Sequence, residues 1–239
     1  MFKSLKNALG LNKDKDAQAS ELPSTRSPGS VARERGKASE WASLQGDSAL
    51  GGAGSGKGFR LDGDLNGRPW RIEQGKPSRD FIKGLELRAR GEMNVRDDVA
   101  VMVMTRSLKN ELDKRAFALY TDTLQTQIDP HLPEEMRWLS MYEEVGWESL
   151  GSDFLDQYAI LADDRENAVQ WVLPDLTRLL MAWPSSEPGV PRVLMVLRGK
   201  VYLRMQISEG DLATAEHASR LFHVACEAAV GAFGADVAL

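Results

Sequence analysis

Residues 59–73 constrain the fold more than any other stretch of the chain. Phe59, Leu61, Gly63 and Leu65 alternate with Arg60, Asp62 and Asp64, and Trp70 and Ile72 alternate with Arg71 and Glu73. A repeat of two puts successive side chains on opposite faces of a strand. Between the two runs stands Asn66-Gly67, a strong hairpin turn signal because both residue types tolerate positive φ. A two-residue loop there sets Leu65 against Arg68, Gly63 against Trp70, Asp62 against Arg71, Leu61 against Ile72 and Arg60 against Glu73. Opposite charges then meet on one face and apolar groups on the other. The glycine leaves room for the indole.

The same residues also match a calcium-loop pattern. Asp62, Asp64 and Asn66 would supply oxygens, Gly67 the sharp turn and Glu73 a bidentate carboxylate. An EF-hand requires a helix on each side. The glycine-rich run 51–58 cannot form the entering helix, and Trp70–Glu73 alternates as a strand. The hairpin without metal is therefore the expected state, with calcium binding at 62–73 as the alternative. No cofactor is expected.

Further along, Leu85, Leu87 and Ala89 alternate with Glu86, Arg88 and Arg90, a third strand. Val99 to Met104 is a continuous apolar run suited to a strand buried on both faces. Thr105 or Ser107 could cap a helix carrying Leu108, Leu112, Phe117 and Leu119. Residues 136–143 fit a helix or a strand. Tyr158–Ala162 reads as a strand, and Asp164 opens a helical stretch restarted at Pro174. Val193–Leu197 and Val201–Met205 form a second hairpin across Arg198-Gly199-Lys200. Asp211 to Phe233 is a terminal helix. Strands arriving in hairpins and helices in separate blocks predict an α+β fold, a mainly antiparallel sheet covered by helices.

Three segments are expected. Residues 58–239 form a single α+β domain. Residues 12–57 are rich in Ser, Gly, Ala and charge, and read as a disordered linker, because they cannot bury enough apolar surface to offset ordering entropy. Residues 1–11 form a short amphipathic peptide with Phe2, Leu5 and Leu9 on one side of a helix. Trp41 and Leu44 make a second apolar island inside the linker. Both islands are candidate docking peptides for a protein partner. Lys3, Lys6, Lys13 and Lys15 would attract lipid headgroups, so residues 1–15 could also make a peripheral membrane contact. Gly56-Lys57-Gly58 lacks the Ser or Thr, the preceding strand and the following helix of a phosphate-binding P-loop.

Charge narrows the partners. Residues 1–57 hold nine Lys/Arg and six Asp/Glu (+3); of the totals 30 and 35, that leaves 21 against 29, or −8, for residues 58–239. An acidic folded part disfavours nucleic acid, whose phosphates need a basic surface. The single cysteine, Cys226, rules out an internal disulfide, and with no apolar run long enough for a bilayer the chain reads as cytosolic.

The chemistry-bearing residues are few. His131-Leu132-Pro133-Glu134-Glu135 ends in Glu where an inverted zinc-protease pattern needs His, and Pro133 interrupts the required helix. His223 and Cys226 can share a helix face, but no second His/Cys pair completes a metal set. The outer face of the first hairpin carries charge, and Arg60, Arg71, Arg88 and Arg90 form a candidate anion or partner patch if the third strand lies alongside.

Gly63-x-x-x-Gly67-Arg68, and Tyr158-Ala159-Ile160-Leu161-Ala162-Asp163-Asp164 leading through Leu173-Pro174 into a helix, resemble an uncharacterised bacterial family of domains of unknown function. The final hairpin and helix fit the same pattern. The resemblance covers about two thirds of the chain and leaves out the N-terminal linker. It implies an α+β fold and a bacterial setting, with no active-site residues. The function expected is a non-catalytic interaction or scaffolding module, recruited to a membrane or partner by its N-terminal peptide. The rival is an enzyme whose pocket gathers Glu134, Glu135, Asp163 and Asp164.

Overall fold

The computed structural model describes residues 49–52, 58–122, 134–184 and 189–234. Nine strands form one sheet: β1 (Ala49–Gly52), β2 (Phe59–Leu65), β3 (Arg68–Gly75), β4 (Leu85–Gly91), β5 (Ala100–Thr105), β6 (Glu143–Val145), β7 (Tyr158–Ala162), β8 (Arg192–Leu197) and β9 (Lys200–Ile207). Their order across the sheet is β1-β2-β3-β4-β9-β8-β5-β7-β6. Every neighbouring pair is antiparallel. The helices are α1 (Arg106–Asp122), α2 (Glu134–Met141), α3 (Ser152–Gln157), α4 (Arg165–Trp171), α5 (Pro174–Met181) and α6 (Leu212–Phe233). The expected α+β class holds.

The first hairpin takes the register its turn requires. Arg60 faces Glu73, Leu61 faces Ile72, Asp62 faces Arg71, Gly63 faces Trp70 and Leu65 faces Arg68. Asn66 and Gly67 both have positive φ, as do Arg198 and Gly199 in the second hairpin, the geometry that matches the right-handed twist of the strands. The third strand does lie alongside, with Glu73 opposite Arg88 and Arg71 opposite Arg90.

Two segments differ from the sequence reading. Ala49–Gly52, placed within the linker, pairs with β2 as an edge strand. Residues 136–143 divide: Glu134–Met141 is helix, and Glu143–Val145 is a three-residue edge strand on β7. Glu134 and Glu135 sit in the first turn of that helix, where carboxylates complement the helix dipole. The peptide 1–11, the Trp41–Leu44 island and His131 lie outside the described residues.

Each sheet face has its own core. On one, Leu61, Ile72, Leu87, Leu203 and Val196 pack under α4, α5 and α6, which contribute Trp171, Leu176 and Phe222. Ala215, Ala218, Ala225 and Ala229 of α6 are buried, and small side chains at that spacing bring the helix axis close to the strands. Trp171 donates its indole N–H to the Ala225 carbonyl at 3.0 Å, tying α4 to α6. On the other face, Met102, Met104, Leu161 and Met195 pack with Leu108, Leu112 and Trp138 from α1 and α2. Strands β5 and β7 are therefore buried on both faces, as their continuous apolar sequences predict. Asp164 caps α4 through the Glu166 N–H, Pro174 begins α5, and Asp211 caps α6 through the Thr214 N–H. No helix among the described residues is long and apolar enough to cross a membrane.

Candidate functional site

The second sheet face changes character midway. One row of facing residues runs Asp62, Arg71, Arg90, Tyr202, Met195, Met102, Leu161 from β2 to β7. The next runs Arg60, Glu73, Arg88, Arg204, Val193, Met104, Ala159. The apolar half of both rows lies in the core beneath α1 and α2. The charged half has no described helix over it. It forms an open groove of about 600 Å³ lined by Asp62, Arg71, Glu73, Arg88, Arg90, Tyr202 and Arg204, with Ser78 and Glu92 at its borders.

Ion pairs hold the groove's arginines in place. Asp62 accepts from Arg60 Nε and from Arg71 Nε, both at 2.7 Å. Arg88 Nε donates to Glu73. Arg90 donates to Glu92 at 2.7 Å, and Lys200 reaches the same carboxylate at 3.1 Å. Burial alone would raise the pKa of Asp62, but the bonds from Arg60 and Arg71 outweigh it and hold the carboxyl below its ordinary range. Glu92 behaves likewise: burial opposes ionisation, and Lys200 and Arg90 prevail.

Glu86 is the buried centre of the arrangement, with a fully enclosed side chain. Its Oε2 accepts from the Ser78 N–H at 2.7 Å and the Ser78 hydroxyl at 2.8 Å, and its Oε1 accepts from Arg204 Nη1 at 2.8 Å. A buried carboxylate is tolerable only when its lone pairs are satisfied in this way. The result anchors the 76–84 loop as a wall of the groove. Phe81 and Ile82 plug that loop into the second core, and Arg79 ties it to Glu134 and Glu135 at the start of α2.

The predicted site residues fare unevenly. Arg60, Arg71, Arg88 and Arg90 share one face, as their alternation implies. Glu86 joins this face with the third strand, and Arg204 and Tyr202, which were not singled out by sequence, complete the groove. Their signal was present: Tyr202, Arg204 and Gln206 alternate with buried Val201, Leu203, Met205 and Ile207, but which strand lies beside β4 is a tertiary matter. The calcium alternative finds no support in the geometry of 62–73. Asp62 is engaged by arginines, Asp64 accepts from the Gly67 N–H at 2.6 Å, and Glu73 bonds Arg88. Both flanks are strands, where a calcium loop needs helices. No group of three or more His, Cys, Asp or Glu among the described residues could hold a metal.

The acids of the enzyme reading are not gathered. Glu134 accepts from Arg79 and Glu135 forms an ion pair with it, whereas Asp163 accepts from the Ala100 N–H at 3.1 Å and from Asn167, and Asp164 caps α4. The histidines of α6 pack against aromatic rings. His223 meets Trp70 edge-on at 4.6 Å, and His217 meets Trp183 at 4.6 Å while contacting the Leu179 carbonyl. Burial pushes the pKa of the Cys226 thiol far up, so it is an inert core group.

The fold and groove define a nine-stranded antiparallel α+β protein with one sheet face half covered. Its sequence and structure match no family model, no curated protein and no solved structure.

Proposed function

We propose that the protein is a non-catalytic interaction module of a bacterial cytosol. Its folded part presents the charged half of the sheet to a protein partner. Its N-terminal peptide, through Phe2, Leu5 and Leu9, with Trp41 and Leu44 as a second anchor, recruits it to a partner or to a membrane surface. The observation that carries this reading is the half-covered sheet face. α1 and α2 bury its apolar half, while Arg71, Arg88, Arg90 and Arg204 line an open groove. A face with paired, preplaced guanidinium groups suits recognition by charge and geometry. Two features support a binding role over catalysis: the described histidines are packed against tryptophans, and the one thiol is buried. Kinship with the uncharacterised bacterial family belongs to the same proposal, resting on the Gly63–Arg68 and Tyr158–Asp164 motifs.

Deleting residues 1–15 tests the recruitment half. The truncated protein should keep the melting temperature of the full chain and lose its localisation and its captured partners. A truncated protein that localises and captures like the full chain sinks this reading.

A further inference from the structure

The charges lining the groove are matched within it. Asp62, Glu92, Glu73 and Glu86 accept from Arg71, Arg90, Arg88 and Arg204 in turn. An anion laid there would press against those four carboxylates, so charge does not select the occupant. What the acids leave open is the plane of the outer guanidiniums. Arg71 is bonded at its Nε edge and keeps 48% of its side chain exposed, and Arg90, bonded at its own Nε edge, keeps 55%. A guanidinium fixed at one edge offers its flat face to an aromatic ring. Arg71 and Arg90 stand directly opposite each other, and Tyr202 follows in the same row, where the sheet face turns apolar.

That row begins where the chain enters the sheet. Ala49 faces Asp62, which faces Arg71, which faces Arg90. Neighbouring strands lie about 4.8 Å apart, so Arg90, three strands on, stands about 14 Å from Ala49. Trp41 precedes Ala49 by eight residues, a reach of up to about 26 Å. The opposite face at this end is closed, because Leu61 and Trp70 are buried with Phe222 of α6. Among the described residues, the arginine face is the one left open beside β1. Resting on the interaction-module reading, we propose that the groove is held by the chain's own segment 39–44. The Trp41 indole stacks on the guanidinium planes of Arg71 and Arg90, and a partner must displace it.

Chemistry and chain length select this occupant. Tryptophan is the best ring for a cation, and an uncharged indole leaves the four ion pairs of the groove intact. Trp41 is the one aromatic residue between Phe2 and Phe59, so the ring nearest to the row along the chain is also the best suited to it. Its far edge meets Tyr202, which gives the indole an aromatic neighbour beyond the arginines. Docked there, the segment covers the surface that the module presents, and the contact is autoinhibitory: Trp41 serves the groove or a partner, not both at once.

The test is fluorine NMR on the full chain labelled with fluorotryptophan, the Trp41 line being the one lost in W41F. A labelled peptide of residues 36–47 gives the undocked position of that line. In the full chain the Trp41 line should stand away from the peptide's position, and dilution should not move it. R71A and R90A should each lower the ratio of docked to free Trp41 about two- to fivefold while keeping the wild-type melting curve. R90K keeps the charge and loses the plane, so it should fall with R90A. R178A, on the exposed side of α5, should change nothing. A Trp41 line at the peptide's position overturns the proposal, as does a displaced line that R71A and R90A leave unmoved or that R90K preserves. A displacement that fades on dilution also overturns it, because the ring then docks on a second copy. If the line is undocked but deletion of residues 1–15 abolishes recruitment, the docking falls and the module reading stands. If the deletion has no effect but Trp41 docks as stated, recruitment by the tail falls and the docking stands.

Discussion

Gly63 lies directly beneath the indole of Trp70 across the first hairpin: a Cβ at position 63 would stand 2.2 Å from Trp70 Cζ2. The indole occupies the space a side chain would fill, and Trp70 is buried against the ring of His223. Replacing Gly63 with Ala must push the indole or the strand aside. The expected cost is about 1–3 kcal/mol, the usual range for overpacking a core. Urea denaturation of Gly63→Ala measures it, and a variant as stable as wild type would show that the indole has somewhere else to go.

Glu86 predicts a larger effect. Its carboxylate is completely buried and takes bonds from Ser78 and Arg204. Glu86→Ala leaves the Arg204 guanidinium and the Ser78 N–H without their acceptor. A loss of about 3–5 kcal/mol is expected, as for breaking a buried ion pair from one side. Glu86→Gln keeps an acceptor oxygen and should lose less. Chemical denaturation of both variants ranks them, and the reverse order would contradict the network.

The exposed ion pairs of the hairpin contribute little by contrast. Asp62 bonds Arg60 and Arg71, all three with over a third of the side chain exposed. Asp62→Asn should therefore cost only about 0.2–1 kcal/mol, less at high salt. Adding millimolar calcium should leave the melting temperature of both proteins unchanged. A calcium-dependent rise present in wild type and absent in Asp62→Asn would restore the metal reading.

Stability should fall on mild acidification. Burial holds the pKa values of His217 and His223 below the ordinary histidine value. The unfolded chain, with histidine near about 6.5, takes up protons first as pH falls. These two groups therefore contribute stability that is full above about pH 6.5 and lost as pH falls toward their folded values. Melting temperature between pH 8 and pH 5, on the order of a pH unit per step, should decline below about 6.5. The decline should be shallower when both residues are changed to Gln, and a wild-type curve flat through this window would refute the account.

Much of the local architecture was legible from residues alone. Asn66-Gly67 dictated both the turn and the register of Arg60 to Glu73, because a two-residue loop leaves no freedom in which side chains oppose. The helix starts at Asp164 and Pro174 were read from side-chain chemistry that acts within one helical turn, and the terminal helix from Asp211 from its apolar spacing. Residues 136–143 resisted because their aromatic and acidic residues suit either state, and the boundary at Met141 and Glu143 came from packing Trp138 into the second core and pairing Glu143–Val145 with β7. Ala49–Gly52 has a linker's composition, and its strand state is visible only in its pairing with β2.

By itself, the sequence determined an acidic, hairpin-built α+β domain with an arginine-bearing outer face at 60–90, since alternation and turn chemistry act over a few residues. Only the tertiary structure decided what that face became. The sheet places β9 beside β4, bringing Arg204 to Glu86 from 118 residues away, and covers the apolar end of the same rows with α1 and α2. That choice is made by burying apolar surface across the whole chain. No local pattern encodes which distant strand completes the groove.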